Sequence, residues 1–235
     1  MRKWGKRRIV GWALGTIAAI ALFTGFVVWL GQSEYRQGMS HAKAGRHRQS
    51  VGAFSRAHIL RPTDPWVLTG RGIANRELKN YDLALRDFDA ALRLLKGRHD
   101  TRVTAIYCAR ADAYHQMGRY AKAISDYARA VKLDPTDARA CNNLAWLLAT
   151  CREPQLRRGD LAMKFAIAAN ARTGWKNPSY LDTLAAACAT AGKPAEAARW
   201  ARTAAARTTN AAAKTALLRR AKQFEEGKVI VETKM

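Results

Sequence analysis

"ADAYHQMGRYAKAISDYARAVKLDPTD", residues 111–137, decides how this chain folds. Ala111 and Ala123 are small enough to let two neighbouring helices approach closely, and Gly118 lies between them where a helix turn belongs. Tyr127 is placed to fill the space between one helical pair and the next. The "LDPTD" at 133–137 ends the second helix, since proline lacks an amide hydrogen and disfavours helical geometry in the residue before it.

The same steps recur along the chain. From Ala111, intervals of 12, 4, 3 and 5 residues give Ala123, Tyr127, Ala130 and Pro135. From Gly72 they give Ala84, Phe88, Ala91 and Lys96, and from Gly38, 34 residues earlier, Ser50, Phe54, Ala57 and Pro62. Gly45 and Gly118 fall seven residues after their small starters, and Tyr81 and Tyr120 share a later phase. The pattern resembles the tetratricopeptide repeat, TPR, a 34-residue helical hairpin. One such hairpin cannot bury its apolar face alone, so the units must stack. Between Gly72 and Ala111 the interval is 39 residues, and "HDTRV" is the insertion.

"CNNLAWLLATC", 141–151, then becomes the first helix of a fourth repeat, 34 residues after Ala111 at Ala145. Cys141, Leu144, Ala145 and Leu148 share one apolar face. Ala162, Ala166 and Ala169 follow late because the loop "REPQLRRG" carries five extra residues. Ala185, Ala197, Ala201 and Ala204 restore the spacing in a fifth repeat, with Gly192 at its turn. In the closing helix Ala212, Ala216, Leu217, Ala221 and Phe224 would cover the last repeat. The resemblance implies an all-α TPR α-solenoid of about five hairpins over 31–226. Its repeats are 31–64, 65–98, 104–137, 138–177 and 178–210, with a closing helix at 211–226 and a tail at 227–235. The NNLAWLLAT stretch and the long loop are similar to one bacterial subgroup of TPR proteins.

Residues 9–30, "IVGWALGTIAAIALFTGFVVWL", carry no charge. As a helix they would extend roughly 33 Å, enough for a bilayer core, with Trp12 and Trp29 near the two ends. This reading predicts one uncleaved transmembrane helix ahead of the repeats. The basic tail 1–8 favours an N-terminus in the cytoplasm. The expectation is therefore a single-pass protein of the inner (cytoplasmic) membrane with an extracytoplasmic, periplasmic TPR domain. Gly11 and Gly15 form a GxxxG pair that could bring two such helices together as a dimer.

The chain is strongly basic, with 41 Lys and Arg against 18 Asp and Glu, a net charge of +23. Setting aside the five basic residues among the first eight leaves 36 against 18, still +18. Arg36, Lys43, Arg46, Arg48, Arg56 and Arg61 give the first repeat an attraction to anionic lipid. Nucleic acid is the alternative anionic partner and the disfavoured one. The basic residues scatter over both helices of each hairpin instead of forming a stripe.

Nothing points to an enzyme, a cofactor or a metal. No phosphate loop, HExxH or nucleophile motif is present. Cys108, Cys141, Cys151 and Cys188 lack metal-ligand spacing. Cys141 and Cys151, ten residues apart on one helix, are separated by roughly 15 Å of rise. A disulfide needs Cα atoms about 4.4–6.8 Å apart, so no redox site is expected there, and Cys141 reads as core. A bond between Cys151 and Cys188 is left open but disfavoured. His41, His47, His58, His99 and His115 read as surface residues. Asp82, Asp87 and Asp89 read as solvated helix positions.

The TPR resemblance implies a concave face lined by the first helices, where family members commonly hold peptides or partner helices. By register the candidate contacts are Tyr35, Met39, Trp66, Thr69, Ile73 and Arg76 in the first two repeats. Farther along they are Cys108, Asp112 and His115, then Asn142, Asn143 and Trp146, then Asp182. The Asn143 phase is where many peptide-binding TPR domains place an asparagine, whose amide both donates and accepts. Trp66 and Trp146 are anchor candidates, since tryptophan is enriched among residues that dominate binding energy. The basic set that clamps a C-terminal carboxylate in chaperone-binding TPR proteins is not reproduced. The layout resembles single-pass TPR scaffolds that assist assembly of envelope complexes.

Overall fold

The structure, a computed structural model, describes the backbone of residues 2–96 and 102–232, and their side chains from Thr16 onward except residue 18. The chain divides into two compact units, Met1–Lys96 and Gly97–Met235. The predicted "HDTRV" insertion falls at this division, and most of it lies outside the described residues.

Unit 1 contains α1 (Arg2–Lys43), α2 (His47–Leu60), α3 (Pro65–Glu77) and α4 (Tyr81–Leu94). Phe54 of α2 is fully buried and holds two hairpins together. A Cβ atom at Gly38 of α1 would lie 2.8 Å from its ring, and one at Gly70 of α3 only 2.4 Å. Glycine is thus required on both sides, because close packing leaves no room for a methyl group. Ser50 stands where other repeats have alanine, and its hydroxyl donates to the Gly38 carbonyl at 2.9 Å. The helix pair gains a cross-hairpin bond and leaves no buried hydroxyl unpaired. Asp64 caps α3 by accepting from the Trp66 amide at 2.8 Å, the usual role of a short acidic side chain at a helix start.

The predicted separate membrane helix at 9–30 is not present. That stretch belongs to α1, which runs unbroken into the first hairpin. Among the described residues no helix is long and apolar enough to cross a membrane. The part of the run with described side chains, 16–30, covers roughly 22 Å as a helix against a hydrocarbon core of about 30 Å. Polar residues Gln32, Ser33 and Glu34 follow directly in the same helix. This overturns the single-pass anchor and, with it, the inner-membrane location and the periplasmic placement of the repeats. The Gly11–Gly15 pair and the basic tail 1–8 lie outside the residues whose surroundings are described. Part of the first repeat's basic excess is internally balanced, with Arg56 2.9 Å from Glu34 and Arg61 2.6 Å from Asp64.

Unit 2 contains α5 (Arg102–Gln116), α6 (Tyr120–Leu133), α7 (Ala138–Thr150), α8 (Gly159–Arg172), α9 (Pro178–Thr190), α10 (Pro194–Arg207) and α11 (Ala211–Glu225). Ala111, Ala123, Ala145, Ala162, Ala185 and Ala197 are all fully buried, where helices approach most closely. The face Cys141, Leu144, Ala145 and Leu148 points inward as its spacing requires. Leu217, Ala221 and Phe224 of α11 close the stack, whereas Ala212 is exposed. The long loop contains a short 3₁₀ turn, Pro154–Leu156. Arg157 fastens it by donating to the Cys151 carbonyl at 2.7 Å, and the Arg158 amide bonds the Leu148 carbonyl.

A charged clamp recurs in both units. Arg71 of α3 grips Asp87 of α4 through two bonds of 2.9 and 2.7 Å. Arg110 of α5 grips Asp126 of α6 through two of 2.7 Å. Asp87 and Asp126 are both buried, so the expectation that Asp87 is solvated is corrected. A buried carboxylate persists because a forked guanidinium satisfies both its oxygens. All four cysteines are buried and free. Burial pushes the Cys108 thiol up to about 12 and the Cys188 thiol up to about 11, so both are neutral and inert.

Candidate functional site

In unit 2 the helix C-termini and turns bring His115 and Trp146 to one place. α5 ends at Gln116, and Gly118 turns the chain with φ of 72°, a conformation that costs glycine nothing. His115 therefore sits at the last turn of α5, and its ring lies 5.9 Å from that of Tyr120 at the start of α6. Trp146 projects from α7, which begins where Asp137 accepts from the Arg139 and Ala140 amides.

Between His115 and Trp146 sits a carboxylate from the far end of the chain. After α11 and Gly227, residues 228–232 run without regular structure, and Ile230 packs against the unit 2 core. One oxygen of Glu232 lies 2.6 Å from His115 Nε2. Trp146 Nε1 donates to the other. The backbone of the same residue is also held: its amide donates to the Thr150 carbonyl at 3.0 Å, and Arg152 Nε donates to its carbonyl at 2.9 Å. Burial pushes the Glu232 carboxyl up, but the bond and charge of His115, with the bonds of Trp146 and Thr150, outweigh it and leave it below its ordinary value. Burial also pushes the nearby Tyr120 hydroxyl up, against the pull of Arg152.

Beside this point, Arg220 of α11 donates to Asp182 of α9 and lies 5.9 Å over the Trp146 ring. Burial raises the Asp182 carboxyl, with Arg220 pulling it back in part. The three first helices of the unit thus contribute His115, Trp146 and Asp182 to one polar strip crossed by α11 and the tail.

The other predicted contacts have different surroundings. Asp112 accepts from the Tyr127 hydroxyl and so braces the hairpin interior. Asn142 and Asn143 are half-buried, and the Asn142 side-chain oxygen has no partner among the described residues. Cys108 is buried and cannot be a contact. In unit 1, Met39 and Ile73 are exposed, and Trp66 is half-buried. Tyr35 packs edge-on against Phe54 with ring centres 5.7 Å apart. Thr69 turns its hydroxyl onto its own helix, donating to the Pro65 carbonyl at 2.7 Å. Arg76 donates to the adjacent Glu77. His41, His47 and His58 are half-buried, not simply surface residues. Among the described residues no group of acidic, cysteine and histidine side chains could hold a metal ion. Glu232, Arg152, Thr150 and Arg220 were not identified from sequence. No periodicity links a tail residue to helices more than eighty positions earlier.

Comparisons with known proteins agree with this architecture. A family model described as "Tetratricopeptide repeat" matches residues 35–98, and one described as "TPR repeat" matches 111–149. No curated protein sequence matches the chain. Among solved structures, TTC0263, a TPR protein of Thermus thermophilus, has a TM-score of 0.58 at 19% identity, covering 83% of this chain and 99% of that one. A fragment of MamA from Desulfovibrio magneticus RS-1 has 0.62 at 17%, covering 74% and 92%. YrrB, described as a TPR protein with an unusual peptide-binding site, has 0.60 at 15%, covering 78% and 89%. At these identities the likeness is one of fold. The chain carries tetratricopeptide repeats and folds as all-α hairpins of that kind.

Proposed function

We propose that this chain is a non-catalytic protein-interaction scaffold, and that the strip formed by His115, Trp146 and Asp182 holds an extended peptide segment of a partner protein. The observation that carries this reading is the tail. Both backbone polar groups and the carboxylate of Glu232 are met at once by unit 2, which is how a groove holds an extended chain, main chain for affinity and side-chain pockets for choice. The description of YrrB as a peptide-binding TPR protein accords with it. A nucleic-acid role fits less well. Arg152 and Arg157 of the basic loop direct donors at backbone carbonyls and Arg110 clamps Asp126, which leaves fewer cations for phosphates.

The test is to pan a random-peptide display library against two full-length proteins, the natural one and an Ile230→Ser/Glu232→Ala variant. A His115→Ala/Trp146→Ala protein with an unchanged circular-dichroism spectrum serves as control. Enrichment on at least one of the two above the control is expected. Enrichment equal to the control on both overturns the reading.

A further inference from the structure

Resting on that reading, we infer that the groove selects an extended segment with an apolar residue two places before a glutamate, and that the chain's own tail occupies it until such a partner displaces it. The tail shows which chemistry the site accepts. Ile230 packs against the apolar surface of unit 2 and Glu232 is met by His115 and Trp146, while Val229 and Val231, before and between them, are exposed. Alternate residues of an extended chain point the same way, so the spacing apolar-x-Glu is set by the distance between the core edge and the two donors. Glutamate is selected by charge as well as shape. His115 and Trp146 each meet one carboxylate oxygen while Arg152 holds the main-chain carbonyl of the same residue, and the acidic group of the strip, Asp182, is already held by Arg220.

The tail is also suited to leave. It reaches the groove through a short unstructured stretch after Gly227, and its hold rests on a few hydrogen bonds and one apolar side chain. A tethered segment of this length competes at an effective concentration of about millimolar. A tail whose own affinity for the groove is about 100 μM would then leave about one groove in ten empty and weaken any free ligand by roughly tenfold, since apparent affinity scales with the fraction of empty grooves. A partner with the same pattern and further contacts along α9 and α11 would prevail over the tail.

The probe is a labelled peptide of residues 227–235, GKVIVETKM, titrated by fluorescence anisotropy against full-length protein. The Ile230→Ser/Glu232→Ala protein is expected to bind it about tenfold more tightly than the natural protein. Replacing the probe's glutamate by alanine should abolish that binding. In the natural protein the Glu232 amide should exchange with deuterium more slowly than in the tail variant, a readout that needs no groove mutation. Equal affinity of the two proteins, or equal binding of the alanine probe, or an unprotected amide, each overturns the inference. The peptide-groove reading falls separately. If library panning enriches segments without a glutamate, the groove stands and this assignment of its ligand fails.

Discussion

The hairpin α3–α4 of unit 1 and the hairpin α5–α6 of unit 2 are the same device shifted by 39 residues, and they differ on the outward side of the first helix. Gly72 and Ala111, Arg71 and Arg110, Asp87 and Asp126, Phe88 and Tyr127 occupy matching places. The buried clamp is geometrically the same in both. On the first helix, however, exposed Ile73 corresponds to Asp112, and Arg76 to His115. One hairpin presents an apolar position and an arginine bonded to its neighbour. The other presents a braced carboxylate and a histidine that holds the tail. Packing positions are thus fixed by the repeat, whereas these partly exposed positions differ in charge and size because Arg76, Asp112 and His115 each answer to a partner of their own.

The largest effect should come from the clamp that the two hairpins share. Asp87→Ala and Asp126→Ala each leave a half-buried guanidinium without its partner, a loss of about 2–3 kcal/mol. Denaturant unfolding followed by circular dichroism measures both. A loss below about 1 kcal/mol in one hairpin alone would break the equivalence.

Next is the tyrosine that distinguishes them. Tyr127→Phe makes the second hairpin resemble the first at Phe88 and removes the donor to Asp112. Stability should fall by about 1–2 kcal/mol on the same measurement, and Phe88→Tyr should bring no matching gain, since Ile73 offers no acceptor.

A smaller effect is the pH response of the tail, which unit 1 should lack. The docked Glu232 carboxyl titrates below its ordinary value of 4.5. Its contribution is therefore whole above that value and is lost as pH falls through the lowered one. Deuterium exchange at the Glu232 amide should be slow at neutral pH and, corrected for intrinsic rates, lose its protection in acid. A Glu232→Gln protein should show no such acid transition.

The smallest effect concerns the turns. Lys79 adopts φ of 62° at the place where the second hairpin has Gly118. Lys79→Gly removes a left-handed strain of about 1 kcal/mol and adds chain entropy to the unfolded state, so thermal unfolding should report a net gain of only about 0.5 kcal/mol. The converse, Gly118→Lys, should cost a comparable amount.

Much of this was legible in the chain itself. Small residues at fixed steps, such as Gly72, Ala84, Ala111 and Ala123, announce close helix contacts, since any larger side chain would push the helices apart. Apolar spacing at Cys141, Leu144, Ala145 and Leu148 fixed the buried face of α7, and register assigned His115 and Trp146 to the first helices of their repeats. The same local reading failed where a contact depends on a distant residue. Asp87 looked solvated because nothing in its own helix reveals that Arg71 waits across the hairpin. The uncharged run at 9–30 looked like a separate membrane helix because composition does not show that the helix continues into the first repeat. Periodicity is a property of one helix and is written in the residues that form it. The clamps and the docked tail are meetings between different segments, decided only when paired helices bring Arg71 to Asp87 and Arg110 to Asp126, and when the stacked hairpins bring His115 and Trp146 within hydrogen-bond reach of Glu232.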